Sequence, residues 1–309
     1  MSTQGEAISE EQSRERVNRS PYPNQPILKV PAASFAYPRD FLGNRFVYLT
    51  ISPRARGLSI GVNLNPDRKC NFDCAYCEVD RRKPTADEVI DCDAAGRELE
   101  STLSLVHAGQ LRERPPYNGL PDELLKLRHV ALSGDGEPTA SPRFREAVET
   151  VVYVRARSLF PFFKMVLITN ESHLDSPEVQ AGIRFFTTQD EIWAKLEAGS
   201  QEYMDMINRS QVPLDRIQSN ILLTARERPV VIQSLFCAVN ETMPTNQEIE
   251  RYAERLRELK EAGAKIPLVQ IYSATRPMHN SCVRHLPLRT MGEIASTVRR
   301  ISGLRAEVF

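Results

Sequence analysis

Short apolar, β-branched runs alternate with helical stretches along most of this chain, and no other feature constrains its fold as strongly. FVYLTIS (46–52), LSIGVNL (58–64), RHVALSG (128–134), KMVLITN (164–170), EIWAKLE (191–197), VVIQSLFCAV (230–239) and IPLVQIYSA (266–274) read as strands. Helical spacing and capping residues mark 86–108, 141–157, 176–183, 200–208, 245–264 and 290–302, with Ser141 as a cap and Pro142 at a first helical position. AEVF at the end reads as a last strand. Strand then helix, repeated about six times, implies an α/β fold of parallel strands joined by right-handed crossovers. An open doubly wound sheet and a full or partial β/α barrel both satisfy this. In either, chemistry gathers at the C-terminal ends of the strands.

The most unusual residues obey that rule. Cys70–Cys77 follow LSIGVNL, Gly134–Glu137 follow HVALS, Asn170 ends KMVLITN, Lys195 and Glu197 end EIWAKLE, and Arg276 follows VQIYSAT. These loops should converge on one rim. Residues 1–44 are polar and then Pro-rich, and read as a flexible tail ahead of a core domain at 45–309. The stretch around 80–127 reads as an insertion. Lys and Arg total 40 and Asp and Glu total 40, so no global field favours nucleic acid. No apolar run approaches the ~20 residues of a membrane span, and the first residues carry no signal-peptide core. The expected location is cytoplasmic.

CNFDCAYC places Cys70, Cys74 and Cys77 as CxxxCxxC. In a reducing compartment such clustering argues for metal rather than disulfides. Zinc would need a fourth ligand recruited from Cys92, His107 or His129, since no Cys or His lies near the motif. A non-catalytic, zinc-stabilised nucleic-acid-binding module is therefore one reading. Three thiols also suit a [4Fe-4S] cluster with one iron left without a protein ligand. Cys92, Cys237 and Cys282 share no spacing and read as buried small hydrophobes. His279 and His285 flank Cys282 in a trio that could bind a metal, and Trp193 reads as core.

CNFDCAYC resembles the signature of radical S-adenosylmethionine (SAM) enzymes, and LSGDGEPTASP (132–142) resembles the superfamily's Gly-Gly-Glu-type loop. The resemblance implies a partial (β/α)6 TIM-like barrel. Cys70, Cys74 and Cys77 would be the cluster ligands, and the open iron would hold SAM. Reductive cleavage of SAM would generate a radical that removes a hydrogen atom from substrate, with flavodoxin or ferredoxin as electron donor. Tyr76 would pack near the adenine, and Gly134, Asp135, Gly136 and Glu137 would meet the methionyl amine. WAKLEAG, VVIQSLFCAV and VQIYSATRP are similar to the branch that holds the wyosine-type tRNA-modifying enzymes, with Glu197 where Asp is usual. On this basis Asn170 reads as a SAM contact or a turn-forming Asn, Lys195 and Glu197 as a pair or a SAM contact, and Gln233 as a ligand contact or a satisfied core residue. Arg276 and Arg209 read as substrate-anion contacts. A small metabolite, a peptide or a tRNA base all remain open as substrate.

Overall fold

The computed structural model describes residues 41–82, 85, 87–274 and 282–309. The chain opens with an antiparallel hairpin, β1 (Val47–Ser52) and β2 (Gly57–Asn63). From β2 onward every neighbour in the main sheet is parallel: β3 (Leu127–Ser133), β4 (Met165–Thr169), β5 (Glu191–Lys195), β6 (Val230–Leu235), β8 (Val269–Tyr272) and β10 (Ala306–Val308). The sheet order is β1-β2-β3-β4-β5-β6-β8-β10, curled into a partial TIM-like barrel. A small antiparallel pair, β7 (Cys237–Val239) with β9 (Val283–His285), lies apart from it.

The sheet has seven parallel strands rather than about six, and its first strand runs the other way. The sequence shows strand-forming runs but not their direction. Burial does not separate the two directions: β1, β2 and β6 are all buried along their whole lengths, as strands covered on both faces must be, and only the pairing register shows that β1 is reversed.

The helices are α1 (Cys92–His107), α2 (Asp122–Leu125), α3 (Phe144–Ala156), α4 (Pro177–Ile183), α5 (Gln201–Ile207), α6 (Leu214–Glu227), α7 (Asn246–Glu261) and α8 (Leu288–Ser302). Three expectations need correction. α1 starts at Cys92, not near 86, because the Asp91 carboxylate accepts the Ala94 N–H at 3.0 Å and caps it there. Ser141 does not cap α3; it closes a 3-10 turn at Pro138–Ala140, and α3 begins at Phe144 without a side-chain cap. VVIQSLFCAV is two strands, because the chain leaves the main sheet at Phe236 to pair with β9.

α6 has no counterpart in the sequence reading. Its buried stripe is Leu214, Ile217, Asn220, Ile221, Thr224 and Ala225. Two polar residues in that stripe blur the apolar period by which an amphipathic helix is recognised. They are buried because they bond inward: Asn220 Nδ2 donates to the Glu171 carbonyl at 2.7 Å.

No helix among the described residues is long and apolar enough to cross a membrane. Arg276 and His279 lie outside the described residues.

Candidate functional site

The loop after β2 carries the three thiols to the C-terminal rim of the sheet. It is tied down from the far side of the barrel. The last turn of α5 offers its free carbonyls, as a helix C-terminus must: the Ile207 carbonyl accepts the Ala75 N–H at 2.7 Å and the Asn208 carbonyl accepts the Asp73 N–H at 3.2 Å. Cys70, Cys74 and Cys77 then line one cavity, with an empty volume of about 860 Å³. The same cavity is lined by Tyr76, Gly134, Asp135, Gly136, Glu137, Asn170, Lys195 and Glu197. Four of the loops expected on one rim therefore meet there.

Each sulfur faces a hydrogen-bond donor. The Phe72 N–H lies 3.4 Å from Cys70 Sγ, with Asn170 Nδ2 at 4.0 Å. Asn208 Nδ2 lies 3.7 Å from Cys74 Sγ, and Arg81 Nη1 3.3 Å from Cys77 Sγ. Such donors stabilise thiolate. Burial works the other way and pushes the Cys74 thiol up to about 12, and the Cys70 thiol upward as well. Partly buried thiols, each beside an N–H donor, form a set whose charge a cationic metal group would satisfy, and thiolate is the ligand that iron–sulfur clusters take. No three His, Cys, Asp or Glu side chains gather around a single ion position among the described residues. A cluster binds each thiolate at a different iron, so its ligands need not meet at one point. The three cysteines reach one cavity from a single loop, which is what such a ligand set requires.

Glu137 is 2 % exposed, and both its oxygens are spent inside the protein. Oε1 accepts from the Thr139 N–H (3.0 Å), Thr139 Oγ1 (2.5 Å) and Thr169 Oγ1 (2.6 Å), and Oε2 accepts the Asn170 N–H at 2.7 Å. This carboxylate joins the loop after β3 to the end of β4. The glycines beside it have a structural reason too. A Cβ on Gly134 would collide with the Asn63 side chain, and one on Gly136 with the Lys69 carbonyl. They let this loop pass against the thiol loop. Asp135 bonds Asn63, which donates to its Oδ2 at 3.1 Å.

On the opposite wall Tyr76, Lys195, Glu197 and Asn208 form one network. The Tyr76 hydroxyl donates to Glu197 Oε2, and Lys195 Nζ lies 3.2 Å from the Tyr76 hydroxyl and 3.8 Å from Glu197 Oε1. Asn208 Nδ2 donates to Glu197 Oε2 at 2.6 Å. Burial, with the Glu197 charge beside it, pushes the Tyr76 phenol well up, so it stays a donor. Burial alone would lower the Lys195 ammonium; Glu197, together with Tyr272 and the two nearby thiols, outweighs it and holds the lysine charged. β5 ends at Lys195, so Glu197 comes from the loop beyond rather than from the same strand face. Asn170 is turned toward the thiol loop, with Nδ2 donating to Asn71 Oδ1 at 3.0 Å while its own Oδ1 accepts from Ser172.

Two residues expected at the site lie elsewhere, and one cysteine differs in burial. Gln233 lines a separate space inside the barrel. Arg209 stands on the outer edge of the thiol loop, half-exposed and paired with Asp73 at 3.5 Å. Cys282 is exposed, not buried, at the edge of the β7–β9 pair, while Cys92 and Cys237 are buried. His285 is exposed on β9. Trp193 is buried as expected, and it also walls the barrel interior. Asn208 and Arg81 were not legible as site residues. Arg81 stands only four residues beyond Cys77 but outside the cysteine spacing, Asn208 lies 134 residues from Cys74, and only the folded chain brings them to sulfur.

No family model matches the chain. Its fold is that of radical SAM enzymes. A radical SAM methyltransferase from Sphaerobacter thermophilus superposes with a TM-score of 0.57 at 14% identity, covering 85% of this chain and 68% of that one. The structure of TYW1 with a lysine–pyruvate adduct bound gives a TM-score of 0.52 at 14% identity, covering 85% and 86%. By sequence, a UPF0026 protein of Helicobacter pylori strain J99 is 28% identical over 146 residues, which are 45% of this chain and 39% of that protein. The chain thus matches well under half the length of that relative. At these identities the structural likeness is one of fold.

Proposed function

We propose that this chain is a radical SAM enzyme: Cys70, Cys74 and Cys77 hold a 4Fe–4S cluster, and SAM binds beside it in the rim cavity. The observation that carries this is the convergence of three thiols, each beside an N–H donor, with the loop at Gly134–Glu137 in a single cavity. When bound, the cluster supplies the electron for reductive cleavage of SAM, and the resulting radical takes a hydrogen atom from substrate. The chain's own residues do the rest. Asn208, Arg81 and the Phe72 N–H hold the thiolates. Glu137 positions the glycine loop, whose backbone rather than the carboxylate faces SAM. Tyr76 supplies an apolar ring surface, and Lys195 with Glu197 fixes the orientation of its hydroxyl and offers one charge to a SAM carboxylate. The buried walls keep water from a reactive carbon. A low-potential donor such as flavodoxin or ferredoxin delivers the electron, and the substrate is a small metabolite, a peptide or a tRNA base.

The test is anaerobic. The full chain is reconstituted with iron and sulfide, reduced with dithionite and given SAM. The expected product is 5′-deoxyadenosine, lost together with the brown colour in Cys74→Ala. A cluster-loaded, reduced sample that yields none with either dithionite or flavodoxin overturns the proposal. So does tight stoichiometric zinc in place of the cluster.

A further inference from the structure

Inside the barrel, behind the thiol loop, lies a second cavity. It shares Tyr76, Cys77 and Lys195 with the rim cavity, so the two spaces adjoin. Its lining includes buried polar side chains from three different strands, each with an atom that finds no hydrogen-bond partner: Thr50 Oγ1 on β1, His129 Nδ1 on β3 and Gln233 Oε1 on β6. Their exposures are 9%, 1% and 0%. Leaving one buried polar atom unmet is costly. Three such atoms, on residues that line one cavity from separate strands, mark a place built to bond something else.

The chemistry of these groups is uncharged. His129 Nε2 is bonded to Ser59 Oγ at 2.9 Å, and burial, with the Lys164 and Arg54 charges nearby, pushes the imidazole down to about 3. The ring is neutral at physiological pH. Gln233 Nε2 already donates to Gln270 Oε1 at 2.9 Å, which leaves its carbonyl oxygen as an acceptor. The Thr50 hydroxyl both donates and accepts. The charged groups of the lining are engaged. Lys195 pairs with Glu197, the Arg54 guanidinium lies 4.1 Å over the Tyr272 ring, and Arg54 and Glu78 have further interactions of their own. Two walls are aromatic: Tyr272, and Trp193, whose indole meets His129 edge-on at 5.1 Å.

We propose that this inner cavity is the substrate site, and that it takes a planar aromatic or heteroaromatic ring bearing an uncharged amide-type edge, an N–H donor beside a carbonyl acceptor. Gln233 accepts the ligand N–H, Thr50 donates to its carbonyl, and Trp193 and Tyr272 cover the ring. The chemical fate of the ring rests on the function proposed above; its binding does not.

Three probes with one ring separate the classes: benzamide, benzoate and benzylammonium. The chain has a single tryptophan, Trp193, so its fluorescence reports from the cavity wall. On the full-length, cluster-reconstituted protein, benzamide should quench saturably and bind roughly tenfold or more tightly than either charged probe. Gln233→Leu should weaken benzamide by roughly tenfold. Gln233→Glu, which keeps the shape and adds a charge, should weaken it at least as much, and thermal melts of both variants identify any that fail to fold. Equal or tighter binding of benzoate or benzylammonium overturns the proposal. So does the absence of saturable benzamide quenching, or unchanged benzamide affinity in a folded Gln233 variant. Benzamide binding without any 5′-deoxyadenosine formation upholds the cavity and removes the radical function; the converse removes only the cavity.

Discussion

Glu137 offers the sharpest separation between a ligand-binding carboxylate and a structural one. Replacing it with Ala leaves two buried backbone N–H groups, those of Thr139 and Asn170, without acceptors. The hydroxyls of Thr139 and Thr169 can rotate toward other acceptors, but the amides cannot. At about 1–3 kcal/mol for each unmet buried N–H, the loss is roughly 2–6 kcal/mol. That is a large share of the ~5–15 kcal/mol that holds a typical domain folded. Glu137→Gln keeps one acceptor oxygen and should lose less, about 1–3 kcal/mol. Urea unfolding of the cluster-free protein, read from midpoints at constant slope, measures both. If Glu137 met a ligand ammonium instead, Glu137→Ala would unfold within about 0.5 kcal/mol of the parent and lose only SAM affinity. That result would refute the internal role argued here.

Further expectations follow from other buried groups. The His129 imidazole refuses a proton that the unfolded chain accepts below its ordinary value of 6.5, so stability should fall as pH drops from 6.5 toward about 3. The slope approaches about 1.4 kcal/mol per pH unit, and His129→Gln should flatten the urea midpoints between neutral and mildly acid pH; an unchanged slope would refute this. Arg81→Met removes a cationic donor from Cys77 Sγ, so the midpoint potential of the reconstituted cluster should become more negative in a redox titration followed by electron paramagnetic resonance. An unmoved potential would mean that Arg81 leaves the sulfur alone. The ion pair of Arg155 and Asp190, with side chains 9% and 0% exposed, joins α3 to the start of β5. Asp190→Ala should destabilise by roughly 3–5 kcal/mol because the arginine is left buried and unpaired, which a urea titration reads directly.

Much of this molecule is written in local pattern. The runs that become β2, β3, β4, β5 and β8, the Thr245-capped helix α7 and the CxxxCxxC spacing each depend on residues close together in sequence, where periodicity and capping act. The rule that chemistry collects at strand ends was enough to gather the thiols, Gly134–Glu137, Asn170, Lys195 and Glu197 at one rim. What each of those residues touches was decided only by the tertiary fold. Glu137 turned inward because β4 lies beside β3 and presents Thr169 and the Asn170 N–H to it. Gly136 is glycine because a neighbouring loop, the one at Lys69, passes over it. Asn208 reaches Tyr76 across 132 residues of sequence because α5 ends opposite the thiol loop. Gln233 faces the barrel interior while Arg209 faces outward, although both follow the same strand–helix rhythm. Spacing along the chain sets which side chains are available. The order of strands in the sheet, a long-range choice made by burial, sets which of them meet.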